Sequence, residues 1–377
     1  MDYRSEFADF EGVTYLNAAS QGPLPLKAAR ASQAALEWKK LPHRILDAEY
    51  FGLPDRIRAL LAKLLSAEPG EFAVTSGASS GMAVVASHFD WRPEDEILIG
   101  QGEFPAHFST FMPLAHAGRA RVKIVAPRKR FLAADDYIQH FSSQTRLVSA
   151  SLVRFDDGTR LDAERLAGAC RKFEVSLLLD LSQCAGAIPL NLRELGADFA
   201  VSSGYKWLLG PYGTGFFWVR HESQFKLRPG PFYWTALEGA RNFHSLSLEK
   251  VEPVPGARRW DAAETANFTN LTALQASLEL IARITVAEID AHNQRLVAQI
   301  AERLPRDTCV LSSPAASENR GSFICIAARK SERTRELYEK LQKAQVFVSL
   351  RESAIRISPH IYNTERDIAK LISVLSV

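Results

Sequence analysis

Short apolar runs punctuate the first half of the chain and limit what it can fold into. Phe72–Val74, Glu96–Gly100, Val122–Ala126, Leu147–Phe155, Ser176–Leu179 and Phe199–Ser202 are apolar almost throughout and alternate with helical or turn-rich segments. Runs this short, bounded by turn residues, read as strands. Strands apolar on both faces and separated by helices predict an α/β protein with a mainly parallel sheet covered by helices. Helical spacing is also read at Leu26–Leu41, Leu53–Ser66 and Ala163–Phe173. Beyond Asn267 the pattern changes. Long helical segments run to Leu304, followed by apolar runs at Phe323–Ala327, Val346–Val348 and Ala354–Ser358, with helices near 331–344 and from Glu365. This predicts a smaller C-terminal α+β domain: residues 13–266 form the large domain, and 1–12 with 267–377 form the small domain and a linking helix.

A chain of 377 residues is long enough for two such cores. Its net charge of +3, with both signs interspersed, makes no case for nucleic acid. Cys170, Cys184, Cys309 and Cys325 lack metal-ligand spacing and read as buried reduced thiols, so no metal is expected. Residues 1–10 carry charges of both signs without an apolar core, and no later run is long enough to span a bilayer. A cytoplasmic protein without a membrane partner is expected.

Ligands of parallel sheets bind at the carboxyl ends of strands. Ser79, Phe104, Asp180 and the Ser203–Lys206 turn all follow expected strands. The hydroxyl-rich Thr75–Gly81 turn opens a helix and suits an anion, although an ordinary helix cap has the same composition. A lysine after Ser-Gly-Tyr, with a carboxylate ending the preceding strand, suggests imine chemistry. Pyridoxal phosphate needs such a lysine, an acid for its ring nitrogen, a phosphate site and a face to stack on. The chain offers a candidate for each. Ser203-x-x-Lys206 also fits a serine hydrolase motif but has no K-T-G after it, and Gly210–Gly215 precedes a strand, unlike a dinucleotide loop. His107, His244 and His360 show no metal-ligand spacing and read as hydrogen-bonded structural residues.

The ordered motifs D-x-x-Q, S-G-Y-K-W-x-x-G-P-x-G-x-G, EFP, RRWDAAETANF and IRISPHIYNTERDI resemble the class V aminotransferase family of fold-type I pyridoxal-phosphate enzymes. That family includes cysteine desulfurases, kynureninases and isopenicillin N epimerase-like proteins. The resemblance implies a sheet of the seven-stranded type. It makes Lys206 the Schiff-base lysine, Asp180 the partner of the ring nitrogen and Gln183 a donor to the ring hydroxyl. Ala78, Ser79 and Ser203 would hold the phosphate, Phe104 would stack on the ring, and Thr265 would reach the phosphate of a neighbouring subunit in a homodimer. Arg351 is the candidate for the substrate α-carboxylate, with Arg356 as a competitor read as structural; Asn17, in the N-terminal TYLNAASQGPLP stretch that reads as a short strand and a loop, is placed on the substrate side.

Several positions depart from the family pattern. No cysteine lies between Lys330 and Arg351, where desulfurases carry theirs, and Cys325 reads as core. Tyr205 replaces His before the lysine, Glu264 stands where Gly is usual, Leu152 replaces a polar or aromatic residue, and Ala106-His107 replaces a small polar pair. The expected function is transamination of a small amino acid or amine. Lyase or epimerase chemistry is the alternative, and a binding or regulatory protein on the same fold is a rival of another class.

Overall fold

The computed structural model describes residues 3–376 except 243, 245, 247, 248 and 250. The chain begins with β1 (Thr14–Tyr15), α1 (Leu26–Lys40) and α2 (Glu49–Leu65). Strand and helix then alternate through β2 (Phe72–Thr75), α3 (Ala78–His88), β3 (Glu96–Gly100), α4 (Pro105–His116), β4 (Arg121–Val125), α5 (Ala134–Ile138), β5 (Thr145–Ser151), α6 (Ala163–Lys172), β6 (Ser176–Asp180), β7 (Phe199–Ser203) and β8 (Gly215–Val219).

Seven of these strands form one sheet in the order β2-β8-β7-β6-β5-β3-β4. The run from β7 to β4 is parallel, while β8 is antiparallel to both β7 and β2. Successive strand side chains point to opposite faces. Leu177 and Leu179 therefore join one core with α2, α6 and the Trp207 region, and Leu178, Phe199 and Val201 join a second core with α3 and α4. Both faces of β6 and β7 are buried, which explains their continuous apolar runs. Helix α2 starts at Glu49, ahead of the expected Leu53, and carries Pro54 inside it.

The remaining elements are α7 (Phe268–Ile284), α8 (Val286–Arg303), β9 (Cys309–Leu311), β10 (Ile324–Ala328), α9 (Thr334–Lys343), β11 (Val346–Phe347), β12 (Ser349–Arg351), β13 (Ala354–Ile357) and α10 (Glu365–Leu375). An antiparallel sheet of order β12-β13-β10-β9 packs with α8, α9 and α10 around its own apolar cluster. Strands β9 and β12, three residues each, carry too little alternation to stand out in the sequence. β1, inside the 13–266 span, hydrogen-bonds to β11, and Leu16 enters the same C-terminal cluster. The chain thus starts against its own C-terminal part before crossing to the large sheet. Among the described residues no helix is long and apolar enough to cross a membrane.

Candidate active site

Lys206 sits on the turn that leaves β7, 7% exposed. The approach around it is too close for side chains. A Cβ on Gly204 would lie 2.3 Å from Thr214 Oγ1, and one on Gly22 would lie 2.2 Å from the Lys206 carbonyl oxygen. The N-terminal loop is therefore pressed onto the lysine turn, with Gly22 N–H donating to Tyr205 O at 2.9 Å. Lys206 Nζ lies 5.1 Å from the Phe104 ring centroid and 5.6 Å from that of Tyr205. Burial pushes its pKa down to about 8; Asp180 opposes this, while Arg356 and Arg351 add to it. An amine in this state loses its proton far more readily than a surface lysine.

Asp180 ends β6, next to β7. Its Oδ1 accepts the Ser182 N–H at 2.8 Å, and its Oδ2 is 3.8 Å from His107 Nε2. Gln183 is clamped: Nε2 donates to Ala19 O at 3.0 Å and Oε1 accepts from Trp207 Nε1 at 2.9 Å, leaving one amide hydrogen. Trp207 also packs beside His360, whose burial lowers its pKa to about 3 and keeps it neutral. His360 is thus a structural support of the lysine turn.

Register brings an anion cradle to the same end of the sheet. Thr75, Gly215 and Ser203 face one another across β2, β8 and β7. The turn after Thr75 opens α3 with Gly77 at φ +154°, followed by buried Ala78 and exposed Ser79. A Cβ built on Gly77 meets nothing within 4 Å, so space is open there. Ser203 Oγ is buried without a hydrogen-bond partner. An orphaned hydroxyl beside a helix N-terminus fits a phosphate. Thr265 lies on a loop tied to β2 through Ala262 N–H and Val74 O, and its hydroxyl donates to Ala262 O. Glu264 adopts φ +55°, the left-handed region in which glycine carries no steric cost, and accepts a hydrogen bond from Tyr233.

The opposite wall comes from distant segments. Arg351 Nη2 and Arg356 Nη2 both donate to Ser20 Oγ, at 3.0 and 2.8 Å. Asn17 Oδ1 accepts from Ser349 Oγ at 2.7 Å, and Ser349 Oγ is 2.9 Å from Ser20 Oγ. Arg356 is 1% exposed and donates to Phe155 O, and burial, then Arg351, lower its pKa to about 10. Neither guanidinium pairs with a carboxylate among the described residues, and both have a buried Nε without a partner. Arg356, read from the sequence as structural, stands on the same serine as Arg351. Leu152 is buried, and its N–H donates to Asp180 O. All four cysteines are buried and unbridged; burial pushes the Cys325 thiol up to about 12.

From the sequence, Ser20, Gly22 and Glu103 carry no individual role and His107 reads as a hydrogen-bonded structural residue. The i, i+4 spacing of Glu103 and His107 around EFPAH was the only available signal for the last two. The residues present fit pyridoxal phosphate: an amine of lowered pKa, a buried carboxylate on the adjacent strand, an aromatic ring near the amine and a partnerless serine in an anion cradle.

The family model described as Aminotransferase class-V matches residues 15–371. The chain is 27% identical to an uncharacterized aminotransferase of Bacillus subtilis, YcbU, over 99% of this chain and 96% of the relative. It is 30% identical to the kynureninase of Deinococcus radiodurans over 85% of this chain and 79% of that enzyme. Among solved structures, a mutant of C-DES with glycine covalently linked to its PLP cofactor superposes with TM-score 0.88 at 22% identity, covering 100% of this chain and 99% of that one.

Proposed function

The chain belongs to the class V aminotransferase family, its cofactor is pyridoxal 5′-phosphate, and we propose from that premise that it transfers the amino group of a small amino acid. The observation that carries the reading is Lys206: a nearly buried amine with its pKa lowered to about 8, facing Phe104 at the end of β7. When bound, the cofactor supplies the electron sink that makes the Cα–H of an amino acid acidic. Lys206 would anchor it, and its Nζ would serve as the base that holds the Cα proton. One base delivering on one side suits transfer better than epimerisation, which needs a second base on the other face.

In this reading Asp180 pairs with the ring nitrogen, the remaining Gln183 N–H reaches the ring hydroxyl, and Phe104 lies against the ring. Ser203, Ala78 and Ser79 hold the phosphate. Arg356 and Arg351 take the substrate carboxylate, displacing Ser20 Oγ as their shared acceptor, with Asn17 behind them. Thr265 serves the site of a second copy, so the active form is a homodimer. Tyr212, 72% exposed and packed on Tyr205 at 4.6 Å, offers an apolar face beside the site for that copy to cover.

A lyase reading is favoured by the names of relatives, kynureninase above all. A desulfurase that builds a persulfide on its own cysteine is opposed by the thiols here, which are buried and pushed up; a C–S lyase that needs no enzyme thiol is not. Incubation with amino acids and an added keto acid separates the two. Transfer yields a new amino acid from the keto acid; ammonia release, or cleavage of the side chain to a shorter amino acid, without the keto acid sinks the transfer reading in favour of the lyase.

A further inference from the structure

A second polar layer is sealed beside Asp180. His107, in the first turn of α4, is 0% exposed, and its Nδ1 is 2.8 Å from Ser149 Oγ on β5. Its Nε2 is buried without a hydrogen-bond partner and stands 3.8 Å from both Asp180 Oδ2 and Glu103 Oε2. Glu103 is held in turn: Oε1 accepts from Ser151 N at 2.9 Å and Tyr137 Oη at 3.4 Å, and Oε2 accepts from Ser151 Oγ at 2.6 Å. Arg154, which donates to Gly102 O at 2.8 Å, lies within electrostatic reach of Glu103. On the other side, Lys206 is within electrostatic reach of Asp180.

The tautomer follows from these neighbours. If Nε2 carried no proton, its lone pair would face two carboxylates in a site closed to water, an arrangement with acceptors only. The proton therefore resides on Nε2. At 3.8 Å the N–H is short of a hydrogen bond to either acid, and a small ring or carboxylate rotation brings it to one of them. Such contacts tighten when a site is filled.

We propose that His107 is a positioning residue, whose Nε2–H, with the ring fixed at Nδ1 by Ser149, holds the Asp180 carboxylate in the rotamer that receives the cofactor's ring nitrogen. This rests on the cofactor site proposed above. Ser149 fixes the imidazole at Nδ1, and Glu103 faces the same Nε2–H as Asp180, as a rival acceptor.

His107→Leu, His107→Gln and Glu103→Gln test it. Glutamine carries an amide nitrogen close to the imidazole Nε2 position, whereas leucine leaves no donor there. Three quantities are read: the dissociation constant for pyridoxal phosphate added to cofactor-free protein, the pH midpoint of the visible band of the loaded protein, and the melting temperature of the cofactor-free protein. We expect His107→Leu to weaken cofactor binding on the order of tenfold or more, the scale typical of outer-shell partners, and to move the midpoint by about one pH unit. His107→Gln should restore most of both, and Glu103→Gln, which removes the charge of the rival acceptor, should give a smaller shift in the opposite direction. In an Asp180→Asn background, His107→Leu should have little further effect on the midpoint. Equal behaviour of the leucine and glutamine variants, or a midpoint unmoved by His107→Leu, overturns the proposal. If His107→Leu does not fold, an unmoved midpoint in Glu103→Gln does so. A wild-type protein that shows no visible band with pyridoxal phosphate sinks the cofactor-site reading itself, whereas a normal band indifferent to His107 removes this inference alone.

Discussion

The two walls of the site are built in different ways. The wall proposed to hold the cofactor, Asp180 to Lys206, comes from two adjacent parallel strands and the turns that leave them, so ladder hydrogen bonds set its spacing. The wall proposed for the substrate joins Asn17 and Ser20 to Ser349, Arg351 and Arg356 through side-chain bonds spanning 329 to 336 residues of sequence. Lys206 and Asp180 face into this space from a rigid sheet end, whereas the two guanidiniums share one serine oxygen and have no carboxylate. A wall held by a sheet ladder suits a group that never changes; one held by replaceable side-chain contacts suits substrate choice.

The largest effect should come from the cofactor wall. Lys206→Ala should abolish the visible band and lower turnover by roughly 10⁴-fold or more. A persisting band would assign the cofactor to another lysine and dissolve the contrast. The same residue sets a pH signature in cofactor-free protein. Its folded pKa, about 8, lies below the unfolded value of 10.5, so between those pH values the unfolded chain binds more protons and stability rises with pH. Relative to Lys206→Met, the wild type should gain up to about 3 kcal/mol across that window, with a constant difference below it, as read by urea unfolding. A flat difference would mean that the amine is not desolvated.

On the substrate wall, Arg356→Gln should keep the band and lose about 10²-fold in kcat/KM, mainly through KM, with Arg351→Gln losing about tenfold. Loss of cofactor from Arg356→Gln would show that the walls are not separable. Gly22→Ala, at the contact between the N-terminal loop and the lysine turn, should cost about 1–3 kcal/mol of stability and blunt both walls together. An alanine variant with unchanged denaturation midpoint would show that the loop moves freely over Lys206.

Legibility followed the same division. β3 spans the expected Glu96–Gly100, and β6 and β7 end within one residue of the expected positions, because strands buried on both faces leave unbroken apolar runs. β12 escaped notice because three residues with one half-buried arginine have no period to detect. The surroundings of Arg356 were hidden for a related reason. It alternates with Ile355 and Ile357, which are fully buried, so the pattern resembles a core strand with one outward polar residue. Its side chain faces Ser20 and Phe155 instead. His107 looked solitary because Ser149 and Asp180 lie on other strands, and neither the sequence spacing nor the residue type announces that they meet.

Hydrophobic period and motif spacing in the chain itself determined the α/β architecture and the family and nominated the lysine, aspartate and serine set, since these depend on local backbone geometry and on neighbouring strands. Tertiary structure alone decided that two arginines converge on Ser20, that Gly22 must be bare against Lys206, and that one imidazole stands between two acids. Those are distances between side chains hundreds of residues apart or on separate elements, and only the packing of sheet, helices and N-terminal loop assigns them a value.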